Sequence, residues 1–290
     1  MKWPEYPIHK ITLEDNNYPA ILKEIKNPPK TLFYRGKLAN GLFNKSLAIV
    51  GSRRITRYGH MVVEKLVGNL VAQKVTIISG FMYGADTEAH QQCLDFGGIT
   101  VAVLGNGLNI IYPPENEKLY QEILAKSGVI ISEYEPEVQP QLWTFPQRNR
   151  IVAGLSSLGV LVIEAGERSG SLITARYARE QGKKVFAVPG PITSSVSAGT
   201  NLMIKNHQAK MVLDARDIMG KKIEKPTLFT DQKLAGLEKK IFAALETEPL
   251  TVDEICLATN QNAIEIGKTL SLMQLKGLIS ESTGKYYLNS

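Results

Sequence analysis

From residue 47 to residue 214, short apolar runs rich in Val and Ile alternate with longer segments whose apolar residues recur every three or four positions. Seven runs are predicted to be strands: LAIVG, VTIISG, ITVAVLG, VIISEY, LGVLVIEAG, KKVFAVPG and AKMVLD. The segments between them are long enough for crossover helices, and several end in a capping glycine. This alternation predicts an α/β fold with a mostly parallel sheet flanked by helices. Ligands of such sheets bind beyond the carboxyl ends of the strands.

Three further segments flank this region, which we place at residues 47–220. Residues 1–46 form an extension expected to pack on the main domain, and its stretch NPPKTLFYRG could add an edge strand. Residues 221–233 are charged and interrupted by proline, which is typical of a linker. Residues 234–290 have the pattern of three helices and a hairpin that turns at Gly284, and this predicts a small winged-helix domain.

The third helix of that small domain carries few side chains suited to reading base edges. Asn262 and Gln274 are its amides, and Lys268 and Lys276 are its cations. Residues 231–290 hold 6 Lys and 8 Asp or Glu, so their formal charge is −2. Since the whole chain carries +6, residues 1–230 carry +8. The pattern therefore favours a protein contact over sequence-specific duplex binding, and places any polyanion site in the larger domain.

Composition excludes several classes of protein. No uncharged apolar run reaches 18 residues, and the first residues lack an apolar stretch of signal-peptide length, so we expect a cytoplasmic protein without a membrane segment. Cys93 and Cys256 lie far apart in apolar helical patterns, as buried free thiols do. The motifs GxxxxGK[ST], GxGxxG, HExxH and GxSxG are absent. We therefore predict no catalytic residue, no metal site and no cofactor.

Two glycine-containing loops at predicted strand ends suit the binding of phosphate. In IVGSRR, Gly51 lets the backbone approach an anion, helix-start amides point outward, and Arg53 adds a bidentate donor. GERSGSLITA repeats this design with hydroxyl groups around Gly170, although simple capping by Ser169 or Ser171 is an alternative. A third loop, SGFMYGADTEAH, places two titratable residues one helical turn apart, and helix-start packing explains that pair best.

The stretch TFPQRNRIVAGLS combines aromatic and cationic residues just before an apolar helix. Trp143 and Phe145 could stack on bases while Arg148 and Arg150 meet phosphates, and Asn149 would orient them. Such a combination is typical of sites for single-stranded nucleic acid. The alternative is that Phe145 is buried in the core and the arginines are paired with carboxylates such as Glu133 or Glu164.

Taken together, the motifs resemble the DNA processing protein A family, called DprA or Smf. Those that carry the resemblance are GSRR, SGxxxGADxxAH, AVLGNGLNIIYPPEN, SEY, FPQRNRIVAGLS, EAxxxSGSLITA, VFAVPGP and SAGTN, in order over roughly residues 30–215. The resemblance implies an extended Rossmann-like domain that binds single-stranded DNA without sequence preference and forms a homodimer. It also implies a role in protecting incoming DNA and loading RecA recombinase onto it during natural transformation.

By the same resemblance, the DNA site would be formed by three motifs and one additional lysine. Its residues would be Gly51, Ser52, Arg53, Phe145, Arg148, Asn149, Arg150, Ser169, Gly170, Ser171 and, beside the sixth predicted strand, Lys184. Two other functions remain open. One is a nucleoside monophosphate hydrolase of the lysine-decarboxylase-like kind, although the glutamate of its PGGxGTxxE motif is missing. The other is a winged-helix transcription regulator that senses a nucleotide.

Overall fold

The computed structural model describes residues 5–220, 236–275, 278–282 and 284–288. The chain forms two compact units, one within residues 1–224 and the other within residues 225–290. The predicted linker, residues 221–233, lies outside the described residues. No helix in the described ranges is both long and apolar enough to span a membrane.

The described part of the first unit contains a nine-stranded sheet in the order β1-β2-β6-β5-β4-β3-β7-β8-β9. Its strands are β1 (His9–Thr12), β2 (Thr31–Gly36), β3 (Ser46–Val50), β4 (Thr76–Ser79), β5 (Thr100–Leu104), β6 (Val129–Ser132), β7 (Gly159–Val162), β8 (Val185–Ala187) and β9 (Lys210–Met211). Every pairing from β6 through to β9 is parallel. The α/β class, the mostly parallel sheet and the seven predicted strands are confirmed.

The N-terminal extension contributes two strands where the sequence predicted one. β1 pairs antiparallel with β2, which pairs antiparallel with β6. The edge strand is therefore β1, and the predicted segment NPPKTLFYRG forms the second strand of the sheet. The sequence did not predict β1 because its four residues, HKIT, contain no continuous apolar run. Their burial pattern is that of a half-exposed edge strand.

Helices cover both faces of the sheet. They are α1 (Ala20–Lys23), α2 (Arg57–Ala72), α3 (Ala85–Asp95), α4 (Glu117–Ala125), α5 (Thr144–Gly154), α6 (Ser171–Glu180), α7 (Ala198–Lys205) and α8 (Arg216–Met219). Alternate residues of β3 enter opposite core clusters, Ala48 with α5 and α6 on one side and Ile49 with α2 on the other. Because both faces are covered, β3 to β8 are buried at every residue and mostly apolar, rather than alternating between buried and exposed positions.

The second unit has the predicted winged-helix elements. Three helices, α9 (Leu237–Leu245), α10 (Val252–Thr259) and α11 (Ala263–Leu275), precede the hairpin of β10 (Ile279–Ser282) and β11 (Lys285–Leu288). Gly284 at the turn has φ of +77°, a conformation that glycine adopts without strain. Thr251 and Glu254 form a capping box at the start of α10.

Candidate single-stranded nucleic-acid cleft

The order of the strands places a crevice between β3 and β7. The chain proceeds from β3 through β4 and β5 to β6 on one side, then crosses back to β7 on the other side of β3. Such a switch point leaves an opening at the carboxyl ends of the strands, where ligands of open α/β sheets bind. A cleft of about 630 Å³ lies there, with Gly51, Gly80, Phe145 and Gly170 among its lining residues.

Nine of the eleven predicted site residues line this one cleft. They are Gly51, Ser52, Arg53, Phe145, Arg148, Asn149, Ser169, Gly170 and Ser171. The GSRR loop, the start of α5 and the start of α6 therefore converge, as the sequence led us to expect.

The GSRR loop is held by close backbone packing against the start of α3. A Cβ on Gly51 would come within 2.7 Å of the Ala85 Cβ, and one on Gly84 within 2.3 Å of the Ser52 carbonyl oxygen. The amide of Ala85 donates a hydrogen bond of 3.1 Å to the same carbonyl oxygen. The glycines thus fix the loop, which leaves the Arg53 side chain exposed at the cleft surface.

Phe145 lies at the wall of the cleft between an arginine and a tyrosine. The guanidinium carbon of Arg53 is 5.9 Å from the centre of its ring, and the Tyr112 ring is 5.5 Å away at a tilt of 36°. Close packing on Gly105 fixes the ring, because a Cβ there would come within 2.8 Å of the Phe145 Cδ1 atom. The half-buried ring therefore combines a rigid aromatic surface with a neighbouring positive charge.

Arg148 forms the buried floor of the cleft. Its side chain is 3% exposed, and its Nη1 atom donates hydrogen bonds to the carbonyl oxygens of Gly80 and Val103. Asp86 is also buried and accepts a bond of 3.3 Å from the Met82 amide. Burial raises the pKa of Asp86, and the nearby Arg148 charge opposes that rise. Arg148 thus contributes positive potential from below, while its hydrogen bonds are committed to two backbone carbonyl oxygens and to Asn149.

Asn149 connects the floor to the start of α6. Its Oδ1 atom accepts a hydrogen bond of 3.2 Å from the Arg148 Nε atom, and its Nδ2 atom donates one of 3.4 Å to the Gly170 carbonyl oxygen. The predicted orienting role of Asn149 therefore has a geometric basis.

The start of α6 faces the cleft without a side-chain cap. The hydroxyls of Ser169 and Ser171 are 2.8 Å apart and bond to each other, and Gly170 is exposed with open space where a Cβ would be. The Ser171 amide donates a bond of 3.4 Å to the Ser169 hydroxyl, as the capping alternative expected, and the next two amides donate to the carbonyl oxygens of Ser169 and Gly170. The positive end of the helix dipole and the two hydroxyl groups therefore favour an anion here.

Two predicted site residues lie elsewhere. The guanidinium of Arg150 is turned away from the cleft, and it forms a two-bond ion pair with Glu133 and donates to the Asn27 carbonyl oxygen at 2.9 Å. Lys184 precedes β8, so it lies at the amino edge of the sheet, opposite the cleft. The alternative raised for the arginines thus holds for Arg150 with Glu133, whereas Glu164 bonds Thr56.

Comparison with known proteins identifies the family of this chain. Residues 9–222 match the model of the family described as DNA recombination-mediator protein A, and residues 225–285 match the DprA winged helix domain. This chain belongs to the DNA recombination-mediator protein A family. The resemblance inferred from the motifs is confirmed, as is the winged-helix class of the second unit.

Relatives of this DprA-family chain match most of its length. Protein Smf of Escherichia coli strain K12 is 36% identical over 98% of this chain and 78% of its own length. DNA processing protein DprA of Streptococcus pneumoniae is 43% identical over 71% of each chain. The solved structure of the pneumococcal protein covers 76% of this chain and 75% of its own, with 40% identity and a TM-score of 0.68.

A second solved relative is described by its mode of binding single-stranded DNA. The structure of DNA processing protein A from Helicobacter pylori, described as giving insight into its single-stranded DNA binding mode, is 32% identical. It covers 73% of this chain and 94% of its own, with a TM-score of 0.64.

Sequence reasoning missed several residues that line the cleft of this DprA-family protein. Arg54 and Arg168 add two exposed cations, and Tyr83 and Tyr112 add aromatic rings. The two arginines stand inside motifs already singled out, GSRR and GERSGS, so charge alone could have drawn attention to them. The tyrosines come from the loops after β4 and β5, and only the folded sheet brings those loops to the cleft.

Proposed function

We propose that this protein binds single-stranded DNA without sequence preference, and that the cleft between β3 and β7 holds the strand. The observation that carries this proposal is the convergence of exposed Arg53, the uncapped start of α6 and the fixed Phe145 ring in one cleft. Cations, hydroxyl groups and a helix start meet phosphates, and an aromatic ring meets any base, which is the chemistry of binding that ignores sequence.

The charge of the cleft supports the same ligand. Its described lining holds four arginines, at positions 53, 54, 148 and 168, against one carboxylate, Asp86. That carboxylate is buried and close to Arg148, so it offers little repulsion to a strand at the surface. The H. pylori relative, with its single-stranded DNA binding mode, supports the proposal independently.

The same cleft supports a binding role rather than catalysis. Asp86 is its one carboxylate among the described lining residues, and buried contacts with the Met82 amide occupy it. His90, one turn further along α3, is fully buried, and burial lowers its pKa to about 3. Neither group is placed to exchange a proton with a ligand in the cleft.

We further propose that the protein protects incoming DNA in the cytoplasm and loads RecA recombinase onto it during natural transformation, acting as a homodimer. Membership of the recombination-mediator family supports this step. Recombinase ATPase activity on single-stranded DNA, measured with and without the protein, tests the loading step. Sedimentation at several concentrations tests the dimer.

Titration by fluorescence anisotropy tests DNA binding itself. We expect a labelled single strand to bind more tightly than a duplex of equal length. If four phosphates are neutralised, log affinity should fall against log salt with a slope of about −2.8, from about 0.7 per phosphate. Arg53→Glu should lower affinity at least tenfold, whereas Lys184→Glu, an equal charge change at the opposite edge, should leave affinity unchanged.

Two outcomes would contradict the assignment. Equal affinity for duplex and single strand would remove the preference for unpaired DNA. Full affinity in Arg53→Glu would place the strand away from this cleft. Because Arg53 is exposed, a normal unfolding transition in that variant would show that the fold is intact.

A further inference from the structure

We infer that the DNA strand continues beyond the cleft into a second groove, between α5 and the N-terminal extension. This inference rests on the proposed function. The groove, of about 670 Å³, is lined by most of the loop of residues 26–31, by Leu13 and Phe33, and by residues 133, 135 and 150. We call residues 26–31 the extension loop.

The groove lies at the same edge of the sheet as the cleft. β6 runs parallel to β5, and β2 runs antiparallel to β6 with Phe33 opposite Ser132. The start of β2 therefore stands beside the carboxyl end of β6, at the same edge of the sheet as the carboxyl end of β5. Four strand spacings separate β3 from β2, about 19 Å, and the cleft lining extends over part of that distance, to Tyr112 in the loop after β5. From that loop about two spacings, or about 10 Å, remain for an extended strand of DNA to cross.

Arg150 fixes the extension loop against α5. Its Nε atom donates a hydrogen bond of 2.9 Å to the Asn27 carbonyl oxygen, and its Nη1 atom donates one of 2.9 Å to Glu133. The hydroxyl of Tyr18 donates another of 2.7 Å to the Pro29 carbonyl oxygen. With Pro28 and Pro29 adjacent, the loop has few conformations to lose on binding. Arg150 is thus a positioning residue for this loop.

The extension loop presents two uncommitted cations. Lys26 and Lys30 are exposed, and neither ammonium group has a hydrogen-bond or ion-pair partner within the described part of the chain. Of the two carboxylates in the groove, Glu133 is neutralised by Arg150, which leaves Glu135. The net charge of the lining is therefore positive, and two ammonium groups are available to phosphates.

A contact between two aromatic rings lies next, in sequence, to the cleft and to the groove. Leu142 lines the cleft, and the next residue, Trp143, is 60% exposed and meets the Tyr134 ring edge-on at 6.0 Å. Tyr134 in turn follows Glu133 of the groove. The exposed indole, which follows a residue of the cleft lining and contacts the ring that follows a residue of the groove, gives a base a surface on which to stack as the strand passes.

Dependence on the length of the DNA tests this inference. The probes are oligodeoxythymidines of about 5 and about 20 nucleotides, the shorter sized for the cleft alone. The double variant Lys26→Glu/Lys30→Glu should bind the short probe like the unmodified protein and the long probe at least fivefold more weakly. Its salt slope with the long probe should also be shallower by about 1.4, from about 0.7 for each of two phosphates.

The control is Lys74→Glu/Lys184→Glu, which makes the same charge change at the amino edge of the sheet and should alter neither affinity. Unchanged affinity of the extension-loop variant for the long probe would overturn the inference, as would equal weakening at both lengths or equal weakening by the control. In each of those cases the proposed function would still hold, provided that the unmodified protein binds the short probe and that Arg53→Glu abolishes this binding. If the unmodified protein bound neither the short nor the long probe, the proposed function itself would be refuted.

Discussion

The Nη1 atom of Arg148 lies 2.5 Å from the carbonyl oxygen of Gly80, and it also donates to the carbonyl oxygen of Val103. One buried guanidinium thus joins the ends of β4 and β5. Burial lowers the pKa of Arg148 to about 10, so the group remains charged at neutral pH. Arg148 holds the floor of the cleft, while Arg53 supplies charge at its surface.

This division of roles predicts opposite effects for the two arginines on stability. Arg148→Met should lower the free energy of unfolding by about 3–5 kcal/mol, because it leaves buried Asp86 and two carbonyl groups without their cation. Arg53→Met should change it by less than about 0.5 kcal/mol, since that side chain is exposed. Urea denaturation measures both.

A double variant separates the charge of Arg148 from its packing. Arg148→Met/Asp86→Asn should recover part of the loss, because no unpaired buried charge remains. If the double variant is as unstable as the two single losses added together, Asp86 and Arg148 are not coupled.

Substitution of Phe145 should weaken binding of single-stranded DNA without disturbing the packing of the cleft wall. Phe145→Leu keeps an apolar side chain over Gly105 and removes the stacking surface, so single-strand affinity should fall about 5- to 150-fold, from about 1–3 kcal/mol per stacked base. Phe145→Tyr should retain affinity. Anisotropy titration measures the change, and equal affinity of the Leu variant would show that no base stacks on this ring.

The sequence was sufficient to predict the sheet and the convergence of three loops. Continuous apolar runs predict buried parallel strands, and the carboxyl ends of such strands meet at one edge. Nine of the predicted residues line one cleft for that reason. The contribution of Tyr112 was not predictable, because it depends on which loops the strand order brings together.

The direction of each side chain was the other feature that could not be predicted from the sequence. Arg148 and Arg150 are two residues apart on α5, so helical geometry turns them toward different surroundings, one to the strand ends and one to Glu133. The sequence motif shows both as equivalent cations. The prediction that Lys184 belongs to the cleft failed for a simpler reason. Lys184 precedes β8 and therefore lies at the edge of the sheet opposite the cleft.

Gly84, which packs against the GSRR loop, and Gly170, which lines the cleft, should respond differently to substitution by alanine. Gly84 has φ of +74°, and an added Cβ would come within 2.3 Å of the Ser52 carbonyl oxygen, so Gly84→Ala should displace the GSRR loop. We expect a stability loss of about 1–3 kcal/mol together with weaker DNA binding. Thermal unfolding and anisotropy measure the two effects.

Gly170→Ala is the matched comparison, since an added Cβ there meets no atom within 4 Å. Its stability should be unchanged. Weaker DNA binding in this variant would then report close approach of the strand to the start of α6, whereas full binding would place the phosphate further away.

His90 predicts a dependence of stability on pH. Its Nδ1 atom lies 2.7 Å from the Thr100 hydroxyl oxygen, which itself donates to the Ile77 carbonyl oxygen, so Nδ1 carries the proton and the ring is neutral. Burial, with a smaller effect from Arg148, lowers the pKa of His90 to about 3 in the folded protein. The unfolded chain, with an ordinary histidine, binds a proton from about pH 6.5 downward.

Between these two values the unfolded state holds one more proton at this site, so stability should fall as pH falls, by up to about 1.4 kcal/mol per pH unit. Asp86, whose pKa burial raises, acts in the opposite direction, but it is present in both proteins compared here. His90→Asn keeps an N–H donor toward Thr100 and cannot titrate. Its free energy of unfolding, measured in urea from pH 7 to pH 5, should therefore decline less steeply than that of the unmodified protein. Parallel curves would mean that the folded protein accepts the proton on His90, and that the site beneath the cleft is open to water.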